Sequence, residues 1–298
     1  MYADKKGSAL LIKIPLKWKE LTIENLFSKI WQAPRKLVHE WRMSKRVLLN
    51  GQQTSWSHHL QKGDILQIPL SFSEMDDNQA SYMGIDILYE DDQVLVINKP
   101  PGLETHPSSP GQNDTLLNGA AFHMLMNGEN YFPFHIHRLD KDTSGAILFA
   151  KDRLSAAILD RLLLERKIKR TYLALVHGLI NKNGTIKESI GRDRHHGTRR
   201  RVSPGGSPAV THYEVVKQIR GKEQTLLACR LDTGRTHQIR VHLSYIGHPI
   251  VGDTLYGGRP EVPRQALHAS KLVFPHPITE EMIEVTAPFP DPEIFPEV

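Results

Sequence analysis

A polar segment from His135 to Gly145, HIHRLDKDTSG, holds the densest group of side chains in this sequence that could take part in chemistry. Asp140 stands within it, next to basic residues and close to the hydroxyl groups of Thr143 and Ser144. The apolar run over residues 146–150 predicts a buried strand directly after the segment, and a loop at a strand end can hold a reactive carboxylate rigidly. The alternative is purely structural, because Asp140 and Thr143 can also cap a turn.

The histidines and paired carboxylates of the sequence offer two other chemistries. Histidines at 135 and 137, at 195 and 196, and at 237 and 242 could bind a metal ion. No HExxH motif occurs, however, and Cys229 is the one cysteine, so the common zinc-ligand patterns are absent. Asp140 and Asp142 could form the carboxylate pair of a glycosidase, but sugar-binding aromatic residues are missing from the segment around them. We therefore expect neither a metal site nor a glycosidase.

The composition is that of a globular chain. Of its 298 residues, 39% are hydrophobic and 24% are charged, which excludes a disordered protein. No apolar run reaches the roughly 18 residues that a membrane helix needs, so we expect no membrane partner. The first residues lack an apolar signal core, from which we expect a cytoplasmic protein, and nothing in the sequence demands more than a monomer.

Positive charge is concentrated in two parts of the chain, whose net charge is +5. Residues 1–50 hold 11 Lys and Arg against 4 Asp and Glu, and residues 161–201 hold 12 against 3. Two basic stretches on an otherwise acidic chain are typical of a protein that binds a polyanion, and we expect that polyanion to be nucleic acid. The alternative is that both are ordinary solvated surfaces.

The order of predicted elements favours an α+β fold with two domains. The first, over residues 1–72, is a small α+β unit with strands over 9–14, 47–49 and 65–68 and helices over 22–31 and 35–43. The acidic stretch 73–83 lacks periodicity and predicts a linker. The second domain, over residues 84–298, has many short strands, scattered helices and no βαβ rhythm, which predicts a mostly antiparallel mixed sheet.

Three segments of the second domain carry more specific expectations. Residues 154–168 predict an amphipathic helix that ends in a basic run. The basic stretch 192–208, which becomes rich in Gly, Ser and Pro, predicts a mobile loop. Residues 237–246 suit either a strand or a helix, and we favour a helix capped by Thr236.

Five motifs follow one another over roughly residues 84–290. The one around Asp140 is HRLDxxTSG over residues 137–145, and the others are YEDDQVLVINKPPG (89–102), KRTYLALV (169–176), LDTGRTHQIRVH (231–242) and RQALHA (264–269). In sequence and order they resemble the motifs of the RluA/RluD-type pseudouridine synthases. One motif can arise by chance, but five in order rarely do. The N-terminal unit, through VLLNG (47–51) and KGD (62–64), resembles the alpha-L RNA-binding domain, although Trp31, Trp41 and Trp56 depart from the usual pattern.

The resemblance implies an enzyme that isomerises uridine in RNA to pseudouridine without a metal or organic cofactor. The bond between C1′ and N1 is broken, the base turns, and C1′ is joined to C5. Asp140 matches the family's catalytic aspartate, which could act as a nucleophile or as a base. Arg235 matches the arginine that pairs with this aspartate, and Tyr172 matches the tyrosine near the flipped base. A catalytically inactive RNA-binding protein or RNA chaperone on the same fold is the alternative function.

Basic side chains are the expected contacts to the RNA, which the resemblance makes ribosomal or transfer RNA. A uridine within a stem must leave the base stack, and contacts to the flanking backbone offset the cost of that step. Arg138 is expected to insert into the RNA or to contact a phosphate near the extruded nucleotide. The other expected RNA contacts are Lys36, Arg42, Lys45, Arg46, Arg194, Arg199, Arg200 and Arg201.

Overall fold

A computed structural model describes residues 2–7, 9–70, 73–74, 80–129 and 131–295 of the chain. These residues form the mixed α+β fold that the sequence predicts, with one five-stranded and one ten-stranded sheet. In the larger sheet the strand pairs are antiparallel with one parallel exception, which confirms the predicted mostly antiparallel arrangement. No helix within the described ranges is long and apolar enough to cross a membrane.

The N-terminal sheet is built from three strands marked by apolar residues and from two strands without them. Its strands are β1 (Tyr2–Lys6), β2 (Ala9–Lys13), β3 (Leu48–Leu49), β4 (Gln52–Gln53) and β5 (Ile65–Pro69). They pair antiparallel in the order β1-β2-β5-β3-β4. The sequence predicts β2, β3 and β5 because apolar residues mark them, whereas β1 and β4 lack apolar alternation and were not predicted.

Aromatic side chains form much of the core beside this sheet. Trp31 and Trp41 are each 2% exposed, and the Phe27 ring lies 5.6 Å from the first and 4.8 Å from the second between centroids. Two of the tryptophans that depart from the alpha-L pattern, Trp31 and Trp41, are therefore core residues, and the third, Trp56, is partly buried and packs against this core. The helix predicted over 22–31 is in fact a short helix followed by a π-helical turn, and the elements here are α1 (Ile23–Asn25), the π turn (Leu26–Ile30) and α2 (Arg35–Ser44).

The larger sheet and two short strand pairs occupy the rest of the chain. The strands are β6 (Ser73–Glu74), β7 (Asp86–Glu90), β8 (Val94–Lys99), β9 (Tyr131–Phe132), β10 (Phe134–His135), β11 (Ser144–Ala150), β12 (Lys169–His177), β13 (Gly184–Lys187), β14 (Ile190–Arg192), β15 (Arg200–Val202), β16 (Val210–Ile219), β17 (Gln224–Leu231), β18 (Leu267–Pro275) and β19 (Met282–Thr286). The main path is β13-β16-β17-β12-β18-β11-β8-β7, with β10 paired to β11 and β19 to β18. Every residue of the central strand β11 is buried, which explains its continuous apolar run.

Two short strand pairs lie within or next to stretches that the sequence predicts to lack regular structure. Strand β6 pairs with β9, so the first residues of the predicted linker belong to a strand, while 75–79 lie outside the described residues. Strands β14 and β15 pair antiparallel, and Arg192 at the end of β14 and all of β15 lie inside the stretch 192–208 that is predicted as a mobile loop. That prediction is wrong for this part, because Ile190 and Val202 pack against Tyr256 in a small apolar cluster of their own.

Helices α3 (Leu116–Met126), α4 (Arg153–Leu164) and α5 (Gln238–Tyr245) accompany the main sheet. Asp152 caps α4 by accepting the backbone N–H groups of the first turn at 2.8 and 2.9 Å. This helix ends before its predicted limit, since Arg166 has a positive φ of 58°. The N-cap of α5 is His237, also at φ 58°, rather than the predicted Thr236.

The division into domains over 1–72, 73–83 and 84–298 stays a prediction. The buried apolar residues of the N-terminal unit form one continuous cluster with side chains of β8, β11 and β18. An ion pair between Lys17 and Glu280 also joins the two parts. Residues 71, 72 and 296–298, at the ends of the predicted ranges, lie outside the described residues.

Candidate active site

A cleft of about 860 Å³ opens beside the polar segment that precedes β11. Residues 135–141 form one wall of the cleft. Its lining also includes Tyr172 on β12 and the stretch 231–240, which leads from β17 into α5. Asp140 lies on the wall with 24% of its side chain exposed. The volume falls within the range of about 300–1,000 Å³ that is typical of ligand pockets.

One guanidinium group connects Asp140 to a buried carboxylate. Nη1 of Arg240 donates to Oδ2 of Asp140 at 3.0 Å, while its Nε and Nη2 donate to the two carboxylate oxygens of Asp253 at 2.7 and 2.9 Å. The side chains of Arg240 and Asp253 are only 8% and 1% exposed. Charge-assisted bonds of this kind are strong and directional, so Arg240 sets the orientation of the Asp140 carboxylate.

Arg235 lines the same cleft but is not the partner of Asp140. Its side chain is exposed, and its Nε donates to the carbonyl oxygen of Pro208 at 3.1 Å. The prediction that Arg235 pairs with Asp140 is therefore wrong, because the pairing arginine is Arg240. Both arginines belong to the motif over 231–242, and the choice depends on where α5 begins, since that start turns Arg240 inward.

Tyr172 and Asp140 come together in this cleft from β12 and from the polar segment. The tyrosine is 4% exposed, and burial raises the pKa of its phenol, although the charge of Arg170 opposes the rise. The phenol is therefore protonated at neutral pH and offers an apolar ring with one polar tip. Such a ring suits contact with a nucleobase.

The backbone around Asp140 is held by buried donors. Lys99 is fully buried, and its Nζ donates at 2.6–2.8 Å to three carbonyl groups, those of Pro100, Leu103 and Lys141. Burial lowers the pKa of Lys99 to about 7, while the carboxylates of Asp142 and Asp140 act against that shift. Oγ1 of Thr105 donates to the carbonyl of Leu139 at 3.0 Å. The residues on both sides of Asp140 are thus fixed from within the fold.

The C-terminal part of the chain braces the end of the polar segment. Arg264 donates to both carboxylate oxygens of Asp291 at 2.7 Å, and its Nη1 donates to the carbonyl of Asp142 at 3.1 Å. Gly145 has a φ of 114°, and a Cβ atom there would lie 2.3 Å from the carbonyl oxygen of Ala269 on β18. Glycine is therefore required for β18 to approach β11 this closely.

The residues predicted to bind RNA lie in three regions. Arg138 is exposed on the wall of the cleft. Arg199, Arg200 and Arg201 lie on or next to β15, and Arg194 is exposed in the turn between β14 and β15. On the N-terminal unit the predicted RNA contacts lie on α2 or just after it. All four are exposed, namely Lys36, Arg42, Lys45 and Arg46. Of the latter, Arg42 forms a 2.9 Å ion pair with Glu24 and lies 4.6 Å from the Trp56 ring centroid.

Three groups of the site were missed by sequence reasoning besides Arg240. These are His237, whose Nε2 lies 3.9 Å from Oδ2 of Asp140, Tyr256, which contacts His237, and Asp253. The motif over 231–242 contains His237, but no spacing rule connects it with a tyrosine beyond the next helix. Among the residues that the structure describes, no three His, Cys, Asp or Glu side chains are placed to hold a metal ion.

A carboxylate in a cleft whose lining includes Arg138, Arg166 and Arg170 is typical of an enzyme that acts on a polyanion. A family model described as RNA pseudouridylate synthase matches residues 93–245, which is more than half of the chain. A second model, described as the RluD ribosomal pseudouridine synthase N-terminal domain, matches residues 10–66. The chain belongs to the RNA pseudouridylate synthase family and is of the RluA/RluD type.

Individual relatives agree with this assignment along the chain. The uncharacterized RNA pseudouridine synthase YhcT of Bacillus subtilis is 46% identical over 289 residues, which cover 96% of each protein. The ribosomal large subunit pseudouridine synthase D of Vibrio cholerae is 38% identical over 273 residues, covering 86% of this chain and 84% of that protein. The structure of human RNA pseudouridylate synthase domain containing 1 has a TM-score of 0.59 at 29% identity, covering 74% of this chain and 89% of the human one.

Proposed function

We propose that Asp140 is the carboxylate with which this RNA pseudouridine synthase isomerises a uridine that has been flipped out of its RNA. The observation that carries the proposal is the 3.0 Å pair between Arg240 and Asp140 on the wall of the cleft, with each residue in one of the family's motifs. A buried aspartate, Asp253, anchors the guanidinium and so fixes the carboxylate where a nucleoside can reach it. We assign the arginine role to Arg240 in place of Arg235.

In this proposal the cleft takes the uridine between the carboxylate and the phenol. Asp140 acts at the sugar while the bond between C1′ and N1 breaks, either as a nucleophile at C1′ or as the base that starts glycal formation. The ring of Tyr172 packs against the base and assists removal of the C5 proton after C1′ has been joined to C5. Arg138, exposed on the same wall, contacts the RNA next to the extruded nucleotide.

The proposed substrate is a structured cellular RNA, either ribosomal or transfer RNA. Basic residues of the β14–β15 pair and of the N-terminal unit support this proposal, because exposed guanidinium and ammonium groups bind phosphates without reading the base. The relatives named ribosomal large subunit pseudouridine synthase favour ribosomal RNA. A cytoplasmic monomer that works without a cofactor remains the expectation for the protein.

The test is release of tritium from RNA labelled at C5 of uridine, prepared from cells that lack this protein. Wild type should release tritium and Asp140→Asn, which keeps the shape of the side chain, should not. Binding of the same RNA should be similar for both proteins. Release by Asp140→Asn at the wild-type rate would contradict the assignment of Asp140, and binding without release by wild type would favour the inactive RNA-binding alternative.

A further inference from the structure

Tyr256 lies next to the ion pair between Arg240 and Asp140 and connects it to another part of the chain. It ends the short helical turn Thr254–Tyr256, is 4% exposed, and lies with its ring centroid 5.0 Å from the guanidinium carbon of Arg240. Its hydroxyl contacts two groups from different parts of the chain: the backbone N–H of Arg200 on β15 donates to it at 2.9 Å, and Nδ1 of His237 lies 2.8 Å away. The tyrosine thus joins the basic β14–β15 pair to the residues around Asp140.

The direction of these hydrogen bonds determines where the histidine carries its proton. The Tyr256 oxygen accepts a hydrogen bond from the backbone N–H of Arg200. Among the described residues, the acceptor within reach of the Tyr256 hydroxyl proton is Nδ1 of His237. When the Tyr256 hydroxyl donates to Nδ1 of His237, the hydroxyl hydrogen has an acceptor and the N–H of the neutral histidine ring faces the cleft. Neutral His237 must then hold its proton on Nε2.

This nitrogen is the one that faces the catalytic carboxylate. His237 Nε2 lies 3.9 Å from Oδ2 of Asp140, which is too long for a hydrogen bond but close enough to form one after a small shift. Burial lowers the pKa of His237, although Asp140 opposes the shift, so the ring is neutral at neutral pH. A neutral ring can present a donor to Asp140 only in the Nε2–H form.

We propose that Tyr256 is a positioning residue that holds His237 in the tautomer whose Nε2 proton faces Asp140. The His237 backbone, at φ 58°, supports the proposal because a left-handed conformation is uncommon for histidine and persists where the surroundings demand it. The inference rests on Asp140 as the catalytic carboxylate. It assigns to Tyr256 an action on the reaction through His237, without contact with the uridine.

The tautomer can be measured directly by nitrogen NMR on the full-length protein with labelled histidine. The His237 signals are identified by their loss in His237→Asn, because asparagine tolerates the left-handed backbone. Wild type should show the proton on Nε2, and Tyr256→Phe should shift it partly or fully to Nδ1. A proton on Nδ1 in wild type, or an unchanged tautomer in Tyr256→Phe, would overturn the proposal. The wild-type spectrum, assigned with His237→Asn, decides the first point even where Tyr256→Phe folds poorly.

Kinetics supply the second readout. Tyr256→Phe should lower kcat by about tenfold, the scale of one lost hydrogen bond, while KM for RNA stays unchanged. Tyr245→Phe is the matched control, since Tyr245 is 56% exposed at the end of α5, and it should behave as wild type. In a His237→Asn background Tyr256→Phe should have no further effect on kcat, and an equal loss in both backgrounds would contradict action through His237. Because the tautomer is measured without turnover, failure of Asp140 as the catalyst is distinguishable from failure of this inference.

Discussion

Arg240 is the residue on which both the stability and the chemistry of the cleft depend. Its guanidinium binds the buried carboxylate of Asp253 with two hydrogen bonds and Asp140 with a third. Lysine carries the same charge but cannot form this forked arrangement. Arg235, in contrast, is exposed and bonded to a single backbone carbonyl.

Substitution of the two arginines should therefore have different consequences. Arg240→Met should lower the free energy of unfolding by about 3–5 kcal/mol, because it leaves Asp253 charged and buried without its partner. Arg240→Lys should be more stable than Arg240→Met, because it keeps the positive charge, but it should still lose most turnover. Arg235→Ala should change stability by no more than about 0.5 kcal/mol and keep most activity. Urea unfolding measures the stability of each variant, and tritium release measures its activity. If Arg235→Ala lost activity while the Arg240 variants kept it, the pairing role would return to Arg235.

At the scale of elements, the β14–β15 pair presents basic side chains beside the cleft. Arg199 is exposed and lies 5.7 Å from the Tyr256 ring centroid, so it can reach both the RNA and the site. Arg199→Ala and Arg201→Ala should each raise KM and reduce the slope of log affinity against log salt by about 1. Lys222→Ala, in the turn at the far end of β17 from the cleft, is the control and should leave both unchanged. An unchanged salt slope in the arginine variants would exclude phosphate contacts there.

The parallel contact between β11 and β18 depends on Gly145. Gly145→Ala should destabilise the protein by more than the roughly 1–3 kcal/mol of a strained backbone, because its Cβ would also clash with the carbonyl of Ala269. Thermal unfolding measures the loss. Gly205→Ala, where a Cβ meets nothing within 4 Å, should be nearly neutral, and equal effects at the two positions would contradict the packing argument.

At the scale of the whole molecule, two buried histidines make folding sensitive to acid. Burial lowers the pKa of His137 to about 3 and that of His268 to about 4, whereas an unfolded histidine titrates near 6.5. Below about pH 6.5 the unfolded chain therefore binds two protons that the native chain does not. Their contribution to stability is present above pH 6.5 and decreases as the pH falls toward 4, by up to about 1.4 kcal/mol per pH unit for each histidine.

Urea unfolding between about pH 5 and about pH 7 checks this expectation, because the slope of stability against pH counts the protons. His268→Gln should reduce the slope by about one proton, whatever its effect on absolute stability. His195→Gln, at an exposed position, should leave the slope unchanged. A slope that is the same in all three proteins would show that His268 is not held neutral in the native state.

The sequence by itself determined what is local or carried by motifs. An apolar run identifies β11, and the motif order identifies the family and places Asp140 and Tyr172 in its motifs. These features depend on residues that are close along the chain, so periodicity and motif spacing are sufficient to predict them.

The tertiary structure decided what depends on residues that are distant in sequence. Which arginine meets Asp140 depends on the start of α5 and on Asp253 beyond it, and the ordering of 190–202 depends on packing against Tyr256. The same holds for the proton on His237, which a tyrosine and a backbone N–H from two other segments direct. No local pattern encodes these contacts, because a hydrogen-bond partner or a packing partner is chosen by the folded geometry and not by spacing along the chain.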